Sequence, residues 1–188
     1  MTDKKLVLAS GSPRRKELLE QLGYSFSVIV TDVEEVKQEQ EPAQEYVQRL
    51  ALDKANAGLA LAEKGSIVIG SDTVVVIDDQ VMEKPRDYQD CRRMLNQLSD
   101  AQHQVMTAVS VVSEQNQRTV VVTTDVWFKP LSEKEIEQYW LSGEPCDKAG
   151  SYGIQGLGGR FVTRIEGSFH SVVGLPLFET DQLLHEFL

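Results

Sequence analysis

The sequence predicts an α/β protein with a mixed β-sheet flanked by helices. Three observations carry that prediction. Strand-like and helix-like segments alternate along the 188 residues instead of falling into separate blocks. The run Ile67 to Ile77 is β-branched and apolar, as a central strand should be. Helix-start signals recur before the periodic segments, at Ser12-Pro13, at Asp87 and at the capping box Ser132-Glu133-Lys134-Glu135.

Taken in order, Leu6 to Ala9 reads as a short buried strand. A helix capped by Ser12 follows, with Leu18, Leu19 and Leu22 on its apolar face and Gly23 as its stop. Phe26 to Val30 is a second strand, and the acidic, polar residues 31–41 form a loop. Pro42 opens a long helix ending near Gly65, and the central strand comes next. Asp78-Asp79 turns the chain into a short strand near Val81-Met82. Asp87 caps a helix running to about Leu98. Residues 103–112 and 118–128 are strands joined by the polar turn 113–116. The helix after Ser132 carries Ile136, Tyr139 and Trp140 and ends at Gly143. Residues 144–159 are glycine-rich. Phe161 to Ile165 and Ser171 to Val173 read as strands, and Pro176 begins a C-terminal helix.

Composition narrows the function. At 41% hydrophobic and 26% charged the chain can bury an ordinary core, and 188 residues suit one domain or two lobes around one sheet. The formal net charge of -10 argues against sequence-independent nucleic-acid binding, which needs a basic face, but allows a small polyanion where Lys and Arg gather in one cleft. No apolar run is long enough to span a membrane, and Leu6 to Ala9 is too short for a signal-peptide core. Cys91 and Cys146 are no disulfide framework, which points to a reducing, cytoplasmic compartment.

Several segments look chemical. Ala9-Ser10-Gly11-Ser12-Pro13-Arg14-Arg15 lies where a strand hands over to a helix, and a helix N-terminus attracts phosphate. Two arginines in a first turn oppose the helix dipole, a conflict that a nearby anion would resolve; an ordinary capped helix with solvated arginines is the alternative. In Gly70-Ser71-Asp72-Thr73 an aspartate sits inside a central strand, so its carboxylate needs a metal, a cation or donors, either as a general base or metal ligand or in a structural ion pair. Gly70 suggests a bulge or a close backbone approach. Lys54 falls on the apolar stripe of Val47, Leu50, Ala51, Ala55 and Gly58, where a lysine snorkels outward or meets an anion. The hairpin after the central strand would bring Lys84 of Glu83-Lys84-Pro85 back towards Asp72. Glu34 and Glu35 are oxygen ligands available to Mg²⁺, or a solvated pair. Residues 147–159 hold five of the 13 glycines, around Gln155, either as a flexible loop or as one folded tightly over a ligand. There is no P-loop, no G-x-S-x-G and no H-E-x-x-H, and His103, His170 and His185 are scattered.

LASGSPRRKELLEQLG, RLALDKA, GSDTVV, EKPRD, HQVMTAVSVV and DKAGSYGIQGLGG followed by VVGLP occur in that order from Leu8 onward. In these stretches the chain resembles the Maf family of nucleoside triphosphate pyrophosphatases, specifically the branch acting on dTTP and UTP. The resemblance implies one Maf/ITPase-like domain over residues 1–188, with an elongated, twisted mixed sheet, two lobes with a cleft, and a possible homodimer. It implies Asp72 as the catalytic carboxylate, and Ser10, Arg14, Arg15, Lys54 and Lys84 as phosphate contacts. Glu34 with Asp72 would hold a divalent cation, Mg²⁺ or Mn²⁺, and Arg14, Thr73 and Gln155 would set substrate specificity. The implied partner is a small-molecule nucleoside triphosphate, with neither nucleic acid nor membrane involved. Two other functions fit the same residues: a pyrophosphatase for modified purine nucleotides, and a nucleotide-binding regulator of cell division. Ser71, where many relatives carry Ala, is a small departure.

Overall fold

The computed structural model describes residues 4–188; Met1, Thr2 and Asp3, which belong to the expected 1–188 domain, lie outside the described residues. Among the described residues seven strands form one sheet in the order β2-β1-β3-β5-β6-β7, with β4 paired to β3. The strands are β1 (Leu6–Leu8), β2 (Phe26–Val28), β3 (Ile67–Ile77), β4 (Gln80–Met82), β5 (Gln102–Val112), β6 (Gln117–Phe128) and β7 (Val162–Glu166). The helices are α1 (Pro13–Gln21), α2 (Ala43–Leu61), α3 (Tyr88–Leu98), α4 (Glu133–Leu141), α5 (Phe169–Val173) and α6 (Leu177–Phe187). The sheet is mixed. β1 pairs parallel with β2, Leu6 facing Phe26, and with β3, Leu6 facing Ile67, while β3–β4 and β6–β7 are antiparallel.

The helix starts form where their caps predict. Ser12 accepts from the Arg15 N–H, Asp87 from the Asp90 N–H, and Ser132 with Glu135 closes the capping box. Ser171 to Val173, read as a strand, belongs instead to α5. The Ser168 hydroxyl accepts from the Ser171 N–H at 3.0 Å and so caps this turn, which outweighs the weak β preference of two valines.

The chain divides into two compact units. The first holds the chain up to Asp72, Thr107–Val122 and Gly174–Leu188; the second holds Thr73–Met106 and Thr123–Val173. In the first, Val7, Ala9, Ala55, Val68 and Val112 pack together where α2 lies on the sheet. Two glycines set that approach. A Cβ on Gly58 would come within 2.7 Å of Ala9 Cβ, and one on Gly70 within 2.3 Å of the Ala51 carbonyl oxygen. Gly70 therefore marks a close approach between β3 and α2. The second unit is built around Val75, Met94, Leu95, Phe128, Tyr139 and Phe161.

Candidate active site

The charged cluster of the first unit assembles around Asp72. Because α2 sits directly on Gly70, the Ala51–Ala55 turn is fixed against β3, and Lys54 on that turn faces the carboxylate. Lys54 Nζ donates to Asp72 Oδ1 at 2.7 Å and pairs with Glu35 Oε1 at 2.9 Å. The apolar-stripe lysine therefore meets anions; it does not snorkel. Asp72 is 5% exposed, and its second oxygen, Oδ2, is buried with no hydrogen-bond partner. Burial drives its pKa above the ordinary carboxylate value, against the pull of Lys54 and Arg15.

Arg15 reaches the same place from α1. Burial lowers its pKa and Asp72 raises it, so the arginine feels the carboxylate as its main counter-charge. Its Nε donates to the Gly174 carbonyl at 2.8 Å, and the Ser71 hydroxyl donates to the same oxygen at 3.1 Å. One backbone carbonyl thus ties the first turn of α1 to the strand that carries Asp72. The anion missing from the first turn in sequence is supplied, in part, by β3. Ser10 Oγ accepts from the Ser12 N–H at 3.2 Å, shaping the turn before α1, and Arg14 is half-buried beside Arg15.

The acidic loop is also held. Arg49 on α2 donates to Glu41 through Nε and Nη2, at 2.7 and 2.9 Å, and to the Val36 carbonyl at 2.9 Å. That anchor lies one residue from Glu35, the acid that reaches Lys54; Glu34 is exposed. Nothing in its sequence surroundings had distinguished Arg49, because its partners lie 8 and 13 residues back in a loop without periodicity.

Thr73, Lys84 and Gln155 fall in the second unit. Thr73 follows Asp72 along β3 and is half-buried, while Lys84, past the β3–β4 hairpin, and Gln155, in the glycine-rich loop, are exposed. That loop is ordered into short 3₁₀ turns at Glu144–Asp147, Ala149–Ser151 and Leu157–Phe161. Cys91 is buried and Cys146 exposed, both as free thiols. Among the described residues no helix is long and apolar enough to cross a membrane, and no group of three or more His, Cys, Asp or Glu could hold a metal ion.

The first unit thus has the build of an α/β protein whose charged side chains gather past the carboxyl ends of parallel strands, the usual ligand position in such sheets. Comparison with known proteins narrows that class. The chain belongs to the Maf-like protein family, whose profile matches residues 5–187. It is 73% identical over 183 residues to the dTTP/UTP pyrophosphatase of Vibrio parahaemolyticus, covering 97% of each chain. It is 68% identical to that of Vibrio cholerae over 187 residues, covering both chains fully. To that of Escherichia coli it is 56% identical over 182 residues, 97% of this chain and 92% of the other. The solved Ham1 protein of Staphylococcus aureus is similar with a TM-score of 0.49 at 17% identity, over 66% of this chain and 72% of that one.

Proposed function

We propose that this chain is a hydrolase that cleaves the α–β phosphoanhydride bond of dTTP and UTP, releasing the nucleoside monophosphate and pyrophosphate. Relatives named dTTP/UTP pyrophosphatase over nearly the full chain support the activity and the pyrimidine substrates. The single structural observation that carries the chemistry is Asp72: a buried carboxylate with one oxygen on Lys54 and the other unpartnered. A structural ion pair would normally satisfy both oxygens.

The residues fit a divalent cation of the Mg²⁺ or Mn²⁺ kind. Mg²⁺ in nucleotide enzymes is commonly held by one or two carboxylates and completed by phosphate oxygens and water, so a dedicated cage of three acids is not required. Asp72 Oδ2 is the available buried donor. Glu34, or its neighbour Glu35 at Lys54, would be the second. When bound, the cation supplies charge neutralisation and polarises the α-phosphoryl group.

The chain's own residues do the rest. Asp72 orients the attacking water and takes its proton through Oδ2, or, where Oδ2 holds the cation instead, serves as metal ligand in place of base. As oxygen bonds to the α-phosphorus, the α–β bridging bond breaks and its electrons leave on pyrophosphate. Lys54, Arg14, Arg15 and Lys84 stabilise that growing charge, and Ser10 shapes the turn that receives phosphate. Thr73, Gln155 and Arg14 select the nucleobase: the Gln155 amide can donate to the carbonyls of uracil or thymine and accept from the N–H between them. A cytoplasmic house-cleaning role and a homodimer complete the reading, the latter checked by sedimentation.

Purified protein is assayed with Mg²⁺ or Mn²⁺ against dTTP, UTP, dCTP, CTP, ATP, GTP and 7-methyl-GTP, with and without added inorganic pyrophosphatase. The expected result is phosphate only with the added enzyme, greatest for dTTP and UTP and abolished by EDTA. Phosphate released directly, or preference for a purine nucleotide, would overturn the assignment.

A further inference from the structure

We propose that Glu144 is the positioning residue of the glycine-rich loop, fixing the turn that carries Gln155 and thereby setting the discrimination between nucleobases; this rests on the reading of Gln155 given above. The loop's glycines are explained by what fills its interior. A Cβ on Gly156 would lie 2.3 Å from Glu144 Oε2, one on Gly158 2.6 Å from the Tyr139 hydroxyl, and one on Gly153 2.6 Å from Lys148 Cε. The backbone wraps three side chains so closely that a Cβ at any of those positions would force its neighbour to shift.

Glu144 is the centre of that wrapping. Its Oε1 accepts from the Tyr139 hydroxyl at 2.6 Å and from the Gly158 N–H at 3.0 Å, and its Oε2 accepts from the Leu157 N–H at 2.8 Å. The Tyr139 hydroxyl in turn accepts from the Gly153 N–H at 3.1 Å. Lys148 Nζ donates to the Glu144 backbone carbonyl at 3.0 Å. Between these anchors, the Gly156 N–H donates to the Gly153 carbonyl at 3.3 Å, closing a turn of Gly153-Ile154-Gln155-Gly156. Gln155 is thus the third residue of a four-residue turn, and one carboxylate holds both flanks, directly after the turn and through Tyr139 before it. Tyr139 is fully buried on α4, so the hold is referred to the core of the unit. An exposed glutamine on a free glycine loop would lose its binding geometry to chain entropy. On this turn it is set in advance, and a preorganised amide separates correct from incorrect bases.

Glu144→Gln keeps the shape but places an NH₂ against one of the backbone N–H donors. The expected result is a selectivity ratio, kcat/KM for dTTP over that for GTP, lowered about tenfold or more, with the loss in the KM for dTTP and kcat changed less than about threefold. Hydrogen–deuterium exchange of the amides of 153–158 should quicken in the same variant. Tyr139→Phe should move both readouts in the same direction, and the double variant should be no worse than the poorer single one. Faster exchange with an unchanged selectivity ratio would overturn the proposal, since Glu144 would then hold the loop without serving recognition. Unchanged exchange would overturn it as well. Gln155→Ala separates the two levels. If that variant keeps the wild-type base preference, the underlying reading of Gln155 fails and this inference with it. If it loses the preference and Glu144→Gln does not, only the positioning role of Glu144 fails.

Discussion

Asp72 is a buried carboxylate and Glu144 a half-buried one, and the protein treats them in opposite ways. At Asp72 burial dominates and pushes the pKa up, with Lys54 and Arg15 only partly compensating, and one oxygen is left without a partner. At Glu144 burial pushes upward too, but the Tyr139 hydroxyl and the N–H groups of Gly158 and Leu157 all bond to the charged form, and the net shift is downward. Neutral donors that saturate a carboxylate turn it into a fixed post. Cations that engage one side of it leave the other side with unspent capacity. The first arrangement builds a loop; the second suits a reacting group.

Asp72→Asn is the largest test of that contrast. It should lower kcat/KM for dTTP by about 10³-fold or more, because the isosteric amide can neither take a proton nor hold a cation by charge. A steady-state assay decides it, and activity near wild type would remove Asp72 from the chemistry altogether.

Gly70→Ala probes how the Asp72 cluster is positioned. Its methyl would sit 2.3 Å from the Ala51 carbonyl and 2.5 Å from the Ala55 nitrogen, so α2 must move off the strand. Overpacking of this kind should cost about 3 kcal/mol in denaturant unfolding and reduce turnover as Lys54 is carried away from Asp72. The same substitution at Gly65, where no atom lies within 4 Å of a Cβ but φ is +82°, should cost only about 1 kcal/mol of backbone strain.

The pH dependence of stability sharpens the comparison, because the two acids predict opposite slopes. Asp72 is raised above its ordinary 3.8, so its contribution is fully present below that value and is lost as pH rises through the raised one. Glu144 is lowered below its ordinary 4.5, so its contribution is present above that value and is lost as pH falls through the lowered one. In EDTA, the stability of wild type relative to Asp72→Asn should fall with rising pH through the acid range. That relative to Glu144→Gln should grow over the same range. Parallel slopes would mean that the two environments do not differ as described.

Arg49→Met is the smallest expected effect. Freeing Val36 and Glu41 loosens the loop that presents Glu34 and Glu35, and the Mg²⁺ concentration for half-maximal activity should rise about threefold with saturated kcat retained.

The sequence reveals much of the fold because its signals are local. Ser12, Asp87 and Ser132 cap their helices as their spacing requires, and the apolar run Ile67–Ile77 is one strand from end to end. Asp72 and Lys54 stand out because each violates the pattern of its own element. Ser171–Val173 misleads because three residues carry too little periodicity to overrule a serine cap. Gly70 signals a close approach, and only tertiary structure reveals that the neighbour is a helix. Glu144 is invisible in sequence: a glutamate before a proline looks like any solvated loop acid, and its donors lie 5, 13 and 14 residues away. The usable clue is the glycines themselves, since so many in one ordered loop must be making room for something.

The Gly174 carbonyl has a further consequence, for synthesis. It accepts from Arg15 across 159 residues and from Ser71 across 103. A chain still emerging from the ribosome can complete the first helix, the long helix and the central strand while this acceptor is still inside the exit tunnel. Arg15 cannot be locked against the strand until Gly174 has emerged, so the cluster around Asp72 closes later than the elements that carry it are made.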